Sequence, residues 1–157
     1  MRELVGPTVD VIAQRGDTLG QRIAHVFEDS FRLGMESVVI IGSDLPDLPP
    51  RLVQEALGAL RRHEDRLVLG PASDGGYYLI GLNRPHTELF DRIDWGTERV
   101  LAQTIEAAKA RDLPIVFLDR WTDIDGAADL ERIVSGSSTR GVRRTRAWGL
   151  EHLIHHR

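Results

Sequence analysis

An α/β domain with a largely parallel sheet is what the sequence predicts, and three observations predict it. Stretches of strand character alternate with stretches of helical periodicity, the order that builds β-α-β units. One apolar run, Val38 to Ile41, is β-branched throughout with no polar alternation, as in strands covered on both faces. The loops after the apolar runs carry Gly, Ser and Asp, and open α/β sheets place ligands beyond the carboxyl ends of their strands.

Taken in order, "TVDVIAQ", residues 8–14, reads as a short strand, and "RGDTLGQR" is a glycine-rich turn into a helix. That helix carries Leu19, Ile23, Val26, Phe27 and Phe31 on one side and closes at Gly34. The buried strand Val38 to Ile41 exits through Gly42, Ser43 and Asp44. A helix over residues 50–61 opens on two prolines and buries Val53, Leu57 and Leu60. "RLVLGPA" and "YYLIGL" are two strands around the turn "SDGG", either a hairpin or separate parts of the sheet. "GTERVLAQTIEAAKARD" is a helix with Val100, Leu101, Ile105 and Ala108 on one stripe, and "PIVFLD" is a strand. "WTDIDGAADLERIV" is a last short helix. Residues 1–134 form the domain by this reading. Residues 135–157 are a flexible basic linker, "SGSSTRG" and beyond, with a tail or short helix.

The composition bounds the chemistry. A chain of 157 residues, 41% apolar, suits one domain with a real core. No apolar stretch is long enough for a membrane span and the N-terminus lacks a signal-peptide pattern, so the expected location is cytoplasmic. With no cysteine there is no disulfide, thiolate nucleophile or Cys-ligated zinc, and a metal must use oxygen or histidine ligands. The net charge of -4 combines a basic end with an acidic body, which argues against nucleic-acid binding.

Several residues are candidates for function. Asp44, at a strand exit, would point into the crevice, where Mg²⁺ needs only one or two protein carboxylates. Its alternative is a local turn with Ser43. Asp47, ahead of Leu48, Pro49 and Pro50, reads as a helix N-terminal cap. Asp123 and Asp125 share a face if extended, and one of them could complete a metal site with Asp44, or Asp125 could cap a helix. Asp74 would meet a sugar or nucleotide hydroxyl while Gly75 and Gly76 let backbone approach a ligand, or the segment is a plain turn. The turn at Arg15 and Gly16 would offer a helix N-terminus to a phosphate, helped by Arg15 or Arg22. Trp95 would stack on a sugar or base, or simply pack, with Thr97 as the following N-cap. His152, His155 and His156 include an i, i+4 pair but read as a solvated tail, and no G-x-S-x-G nucleophile elbow is present.

Taken together, "QRGDTLGQRIAHVF", "VVIIGSDLPDLPP", "LVLGPASDGGYYLIGL", "DWGTERVLAQTI" and "WTDIDGAADL" closely resemble, in content and order, the radical-SAM/selenodomain-associated transferases. This bacterial family, also catalogued as a domain of unknown function, looks like part of the nucleotide-diphospho-sugar transferase superfamily with the GT-A fold. The resemblance covers residues 12 to 133. It implies a three-layer GT-A-like sheet and glycosyl transfer from a nucleotide-diphospho-sugar, with Mg²⁺ or Mn²⁺, to a small-molecule acceptor. It implies that Asp44, with Asp125 or Asp123, holds the cation, and that Asp74 orients the acceptor or sugar. Gly126, Ala127 and Ala128 stand where related enzymes have T-P-E, a departure beside Asp125. The family's opening strand and F-A-R-x-P-x-P-G-x-x-K-T-R-L loop have no counterpart. The expectation is therefore a domain lacking its N-terminal βαβ part, with an exposed apolar sheet edge that a homo-oligomer or another chain covers. Two other readings follow from the same residues. "GSDLP" and "DID" also resemble the molybdenum-cofactor and phospholactate nucleotidyltransferases, and a domain without its nucleotide half could be a non-catalytic remnant or interaction module.

Overall fold

A computed structural model describes residues 10–45, 47–61 and 64–121. Asp123, Asp125 and the basic tail lie outside the described residues, as do the last predicted helix and residues 8 and 9 of the first predicted strand. Seven main elements follow in the order α1 (Leu19–Arg32), β1 (Val38–Ile41), α2 (Pro50–Leu60), β2 (Leu67–Pro71), β3 (Tyr77–Leu82), α3 (Val100–Lys109) and β4 (Ile115–Phe117), with a 3-10 turn at Thr87–Phe90.

The sheet order is β1-β3-β2-β4. β3 runs antiparallel to both β1 and β2, and β2 pairs in parallel with β4. The sheet is therefore mixed, with mostly antiparallel pairs, and the largely parallel sheet expected from the alternation is corrected. The physical cause is the short connection between β2 and β3: a parallel crossover needs a dozen or more residues, and "ASDGG" is long enough only for a hairpin. β1, β2 and β4 still share one direction, so the ends where they exit lie together.

One further expectation changes. Residues 10–14 are not a strand, and Ile12 is 81% exposed. β1 is packed on both faces as expected, Val38 and Ile40 on one core and Val39 on the other, but it is an edge strand: among the described residues it pairs only with β3, and Ile41 at its end is 48% exposed. Leu33 and Met35, in the segment between α1 and β1, are exposed as well.

Helices cover both faces. On one side Phe27 of α1, Leu67 and Leu69 of β2, Ile80 and Leu82 of β3, and Ala108 of α3 share a core. Phe27 stacks on Phe90 of the 3-10 turn at 5.7 Å between ring centroids. On the other side α2 packs Leu52, Ala56 and Leu60 against Val68, Tyr78 and Leu79. The α2 stripe is thus rotated from the expected Val53, Leu57 and Leu60, and α3 buries Val100, Thr104 and Ala108 with Leu101 and Ile105 half-buried. Thr104 is tolerated in the core because its hydroxyl donates to the Val100 carbonyl at 2.9 Å. α1 begins in a capping box: Thr18 Oγ1 accepts from Gln21 N, and Gln21 Oε1 reaches back to the Thr18 N–H. It ends where Gly34 adopts φ +85° and Met35 N–H donates to the Ser30 carbonyl, closing the helix as expected.

At the end of β2 and β3 away from these exits, His86 lies between two carboxylates. Its Nε2 is 2.9 Å from Asp65 Oδ2 and its Nδ1 is 3.2 Å from Glu88 Oε1. Asp65 Oδ1 is buried without a partner. His86→Ala would leave the remaining Asp65 oxygen unpaired too, and a loss of about 1–3 kcal/mol is expected, read as a lower urea midpoint.

Candidate functional site

A cleft of about 620 Å³ opens where β1 and β2 exit. Its walls come from four segments that the sequence singled out. These are the chain before and into α1, the exit of β1 at Gly42 and Ser43, the β2–β3 turn at Asp74 and Gly76, and the loop Trp95 to Glu98 ahead of α3. Ligand sites beyond the carboxyl ends of strands are the rule for such sheets, and here the hairpin delivers its turn to the same place.

The turn is built so that it can hold only one shape. Asp74 Oδ1 accepts from Gly76 N–H at 2.9 Å, closing the turn on itself. Gly75 sits at φ +90°, and a Cβ there would fall 2.7 Å from Glu98 Cα. Its carbonyl accepts from Leu101 N–H at 2.9 Å, one of the otherwise unpaired donors at the start of α3. Gly75 is therefore glycine because it is pressed against the loop before α3. Gly76 is the glycine of the pair that lines the cleft.

β3 begins with a bulge, where the register with β2 shifts between Gly70 and Pro71. The bulge sends Tyr77 to the α1 and α3 side and Tyr78, like Leu79 after it, to the α2 side. Tyr78 lies over Gly70, where a Cβ would meet the ring at 2.7 Å, and its hydroxyl donates to the Asp119 carbonyl at 2.9 Å. Burial, with Asp119 and Glu55 nearby, pushes its phenol up to about 12. Burial pushes Tyr77 higher still, with only partial relief from Thr104, and its hydroxyl has no well-formed hydrogen bond. Phenols that ionise near pH 10 in the unfolded chain are held neutral in the fold, so stability falls as pH rises above about 10. Absorbance titration at alkaline pH should show neither of the two tyrosines ionising at its free value while the protein stays folded.

Trp95 is half-buried and does two things. Its ring meets Tyr77 edge-on, at 6.4 Å and 84°, and it lines the cleft. Thr97 Oγ1 accepts from Arg99 N at 3.3 Å, although the residue capping α3 is Arg99 itself. Arg15 is exposed and held by Asp29 at 2.6 Å, while Gly16 packs on Gln21, and it is Gln14 of this segment that reaches the cleft. The capping box engages the N–H groups of Asp17, Thr18 and Gln21 at the start of α1.

Asp44 is exposed beside the cleft, just past Ser43, and its one hydrogen bond among the described residues is from Ser43 Oγ at 3.0 Å. The turn with Ser43 is thus present. Asp47 does not cap α2, whose N-cap is Pro49 with no side-chain bond; it accepts instead from Trp121 Nε1 at 3.3 Å. Trp121 also bridges in parallel to Ala72 and donates its N–H to the Pro71 carbonyl at 3.0 Å. Trp121, the last described residue, is therefore pinned between Asp47, in the loop after β1, and Pro71 and Ala72 at the end of β2. No group of three or more acidic or histidine ligands is assembled among the described residues. No helix among them is long and apolar enough to cross a membrane.

Sequence reasoning missed Glu98, Gln14 and Tyr77 as cleft residues. The signal for Glu98 was its place one residue after Thr97 in a loop already marked by Trp95.

Comparisons with known proteins fit this geometry. A family described as "Uncharacterized protein conserved in bacteria (DUF2064)" matches residues 1–97. A crystal structure from Desulfovibrio desulfuricans G20, described as a "putative nucleotide-diphospho-sugar transferase", superposes with a TM-score of 0.85 at 36% identity, covering 98% of this chain and 68% of that one. No curated protein matches the chain.

Proposed function

Because the chain belongs to the DUF2064 family, we propose that it is a glycosyltransferase domain, taking a nucleotide-diphospho-sugar with Mg²⁺ or Mn²⁺ and passing the glycosyl group to a small acceptor. The observation that carries this reading is the convergence at Trp121. Its bonds to Asp47 and Pro71 draw together the loop that carries Asp44 and the strand end that leads to Asp74, and in sequence Asp123 follows two residues after Trp121.

The residues fit a hard divalent cation. Asp44 offers exposed carboxylate oxygen held, among the described residues, by Ser43 alone, and Mg²⁺ fills most of its shell with water and substrate phosphate. Asp44 with Asp123 or Asp125 would hold it, and bound there it would neutralise the departing diphosphate.

The chain's own side chains do the rest. Asp74 Oδ1 is tied to Gly76, which leaves Oδ2 to accept the acceptor hydroxyl's hydrogen bond and then its proton. The acceptor oxygen bonds to the anomeric carbon as that carbon's bond to the diphosphate oxygen breaks, and the electron pair leaves with the nucleoside diphosphate. Trp95, Ile40 and Ile23 give the cleft an apolar wall beside Asp74.

The test is incubation with UDP- and GDP-sugars with and without Mn²⁺. Cation-dependent release of nucleoside diphosphate supports the reading. Release of pyrophosphate from nucleoside triphosphates instead would assign nucleotidyl transfer, and no binding of any nucleotide would assign a non-catalytic role.

A further inference from the structure

We infer that Gly20 is the specificity-determining residue of the cleft: it fixes the Trp95 indole in the position that fits the cleft to an uncharged, hydroxyl-bearing ring. The inference rests on the reading above only for where that ring comes from.

Gly20 is buried in the first turn of α1, where a glycine costs helix stability and needs a reason. A Cβ there would fall 2.7 Å from Trp95 Nε1 and 2.8 Å from the Phe90 carbonyl oxygen. The Phe90 backbone cannot give way, because the residue is 4% exposed and its ring is stacked on Phe27 in the core. The indole can, since it borders the open cleft. Tyr77 meets the indole edge-on, so any side chain at position 20 drives the indole from its seat and narrows the cleft.

The chemistry of the lining selects the ligand. Asp74 and Glu98 are the charged residues on the cleft wall, and no Lys or Arg is among the described residues that line it. A phosphate inside would meet carboxylates and no cation, a repulsive field in a partly desolvated space. An indole beside carboxylates suits a pyranose: the apolar ring face lies on the indole and the hydroxyls donate to carboxylate oxygen. The diphosphate is left to the Asp44 side, outside the cleft.

The test uses the indole N–H signals of the full chain, with Trp95 assigned by its loss in Trp95→Phe. Probes are methyl α-glucoside, α-galactoside and α-mannoside, and UDP and GDP without metal. At least one glycoside should shift the Trp95 signal and neither nucleotide should. Gly20→Ala should displace that signal in the free protein and weaken the glycoside at least ~10-fold, as a single misplaced methyl does in a fitted pocket. If Gly20→Ala does not fold, Trp95→Phe decides alone, its glycoside affinity read by calorimetric titration beside wild type because its indole signal is gone, with a similar ~10-fold weakening expected. Competition by UDP- or GDP-sugar with Mn²⁺ would make the ring the donor's; simultaneous binding would make it the acceptor's. The inference is overturned if no glycoside moves the indole, if a nucleoside diphosphate enters without cation, or if the deciding variant binds as wild type. Glycoside binding should persist in Asp44→Ala, so it stands or falls separately from metal-dependent turnover.

Discussion

Asp44→Ala is expected to lower cation-dependent turnover of a nucleotide sugar at least ~10²-fold, the scale of losing a direct electrostatic contact to the reacting charge. Stability should change little, within about 0.5 kcal/mol, because Asp44 is exposed and gives up only its bond from Ser43. That combination separates a ligand from a turn residue. If Asp44 served only the turn with Ser43, its removal would shift the unfolding midpoint slightly and leave turnover alone. Steady-state rates over a Mn²⁺ series, beside urea unfolding of both proteins, decide between the two.

Gly75→Ala is expected to have the largest effect on stability, a loss of about 2–5 kcal/mol. Two costs add. At φ +90° any side chain is strained, and the new Cβ would lie 2.7 Å from Glu98 Cα, which is backbone and cannot rotate aside. Relief requires the turn to lift from the start of α3, breaking the bond from Leu101 N–H to the Gly75 carbonyl and moving Asp74. Chemical unfolding should show the loss directly, and any activity that survives should have a lower kcat. Gly76→Ala is the control: its Cβ would lie 3.3 Å from Asp74 Oδ1, and only a side-chain oxygen need yield.

Much of the site was legible because its parts lie in short loops whose chemistry is local. The segments of Gly16, Ser43, Asp74 and Trp95 are gathered round one cleft, although the first reaches it through Gln14 and Leu19 rather than through Gly16. What the sequence could not give was direction and neighbours. Tyr77 to Leu82 is apolar in either orientation, and only the short turn before it, which the reading left open, makes β3 antiparallel. Val38 to Ile41 is covered on both faces as its composition implies, but composition did not say that it is an edge strand whose last residue, Ile41, is exposed. Asp47 looked like a cap because it precedes two prolines, and its partner, Trp121, is 74 residues away. Gly20 carried a signal that went unread: a glycine within a helical pattern marks a close approach, here that of Trp95.

The central claim is that a divalent cation is held where the loops of Asp44, Asp74 and Trp121 meet. Paramagnetic broadening by Mn²⁺ tests it without any substrate. Amide signals of Ser43, Asp74 and Trp121 should broaden first, those of Asp65 and His86 at the other end of the sheet should stay sharp, and Asp44→Ala should abolish the effect. Broadening centred on Asp65 and His86, or unchanged in Asp44→Ala, would contradict the account.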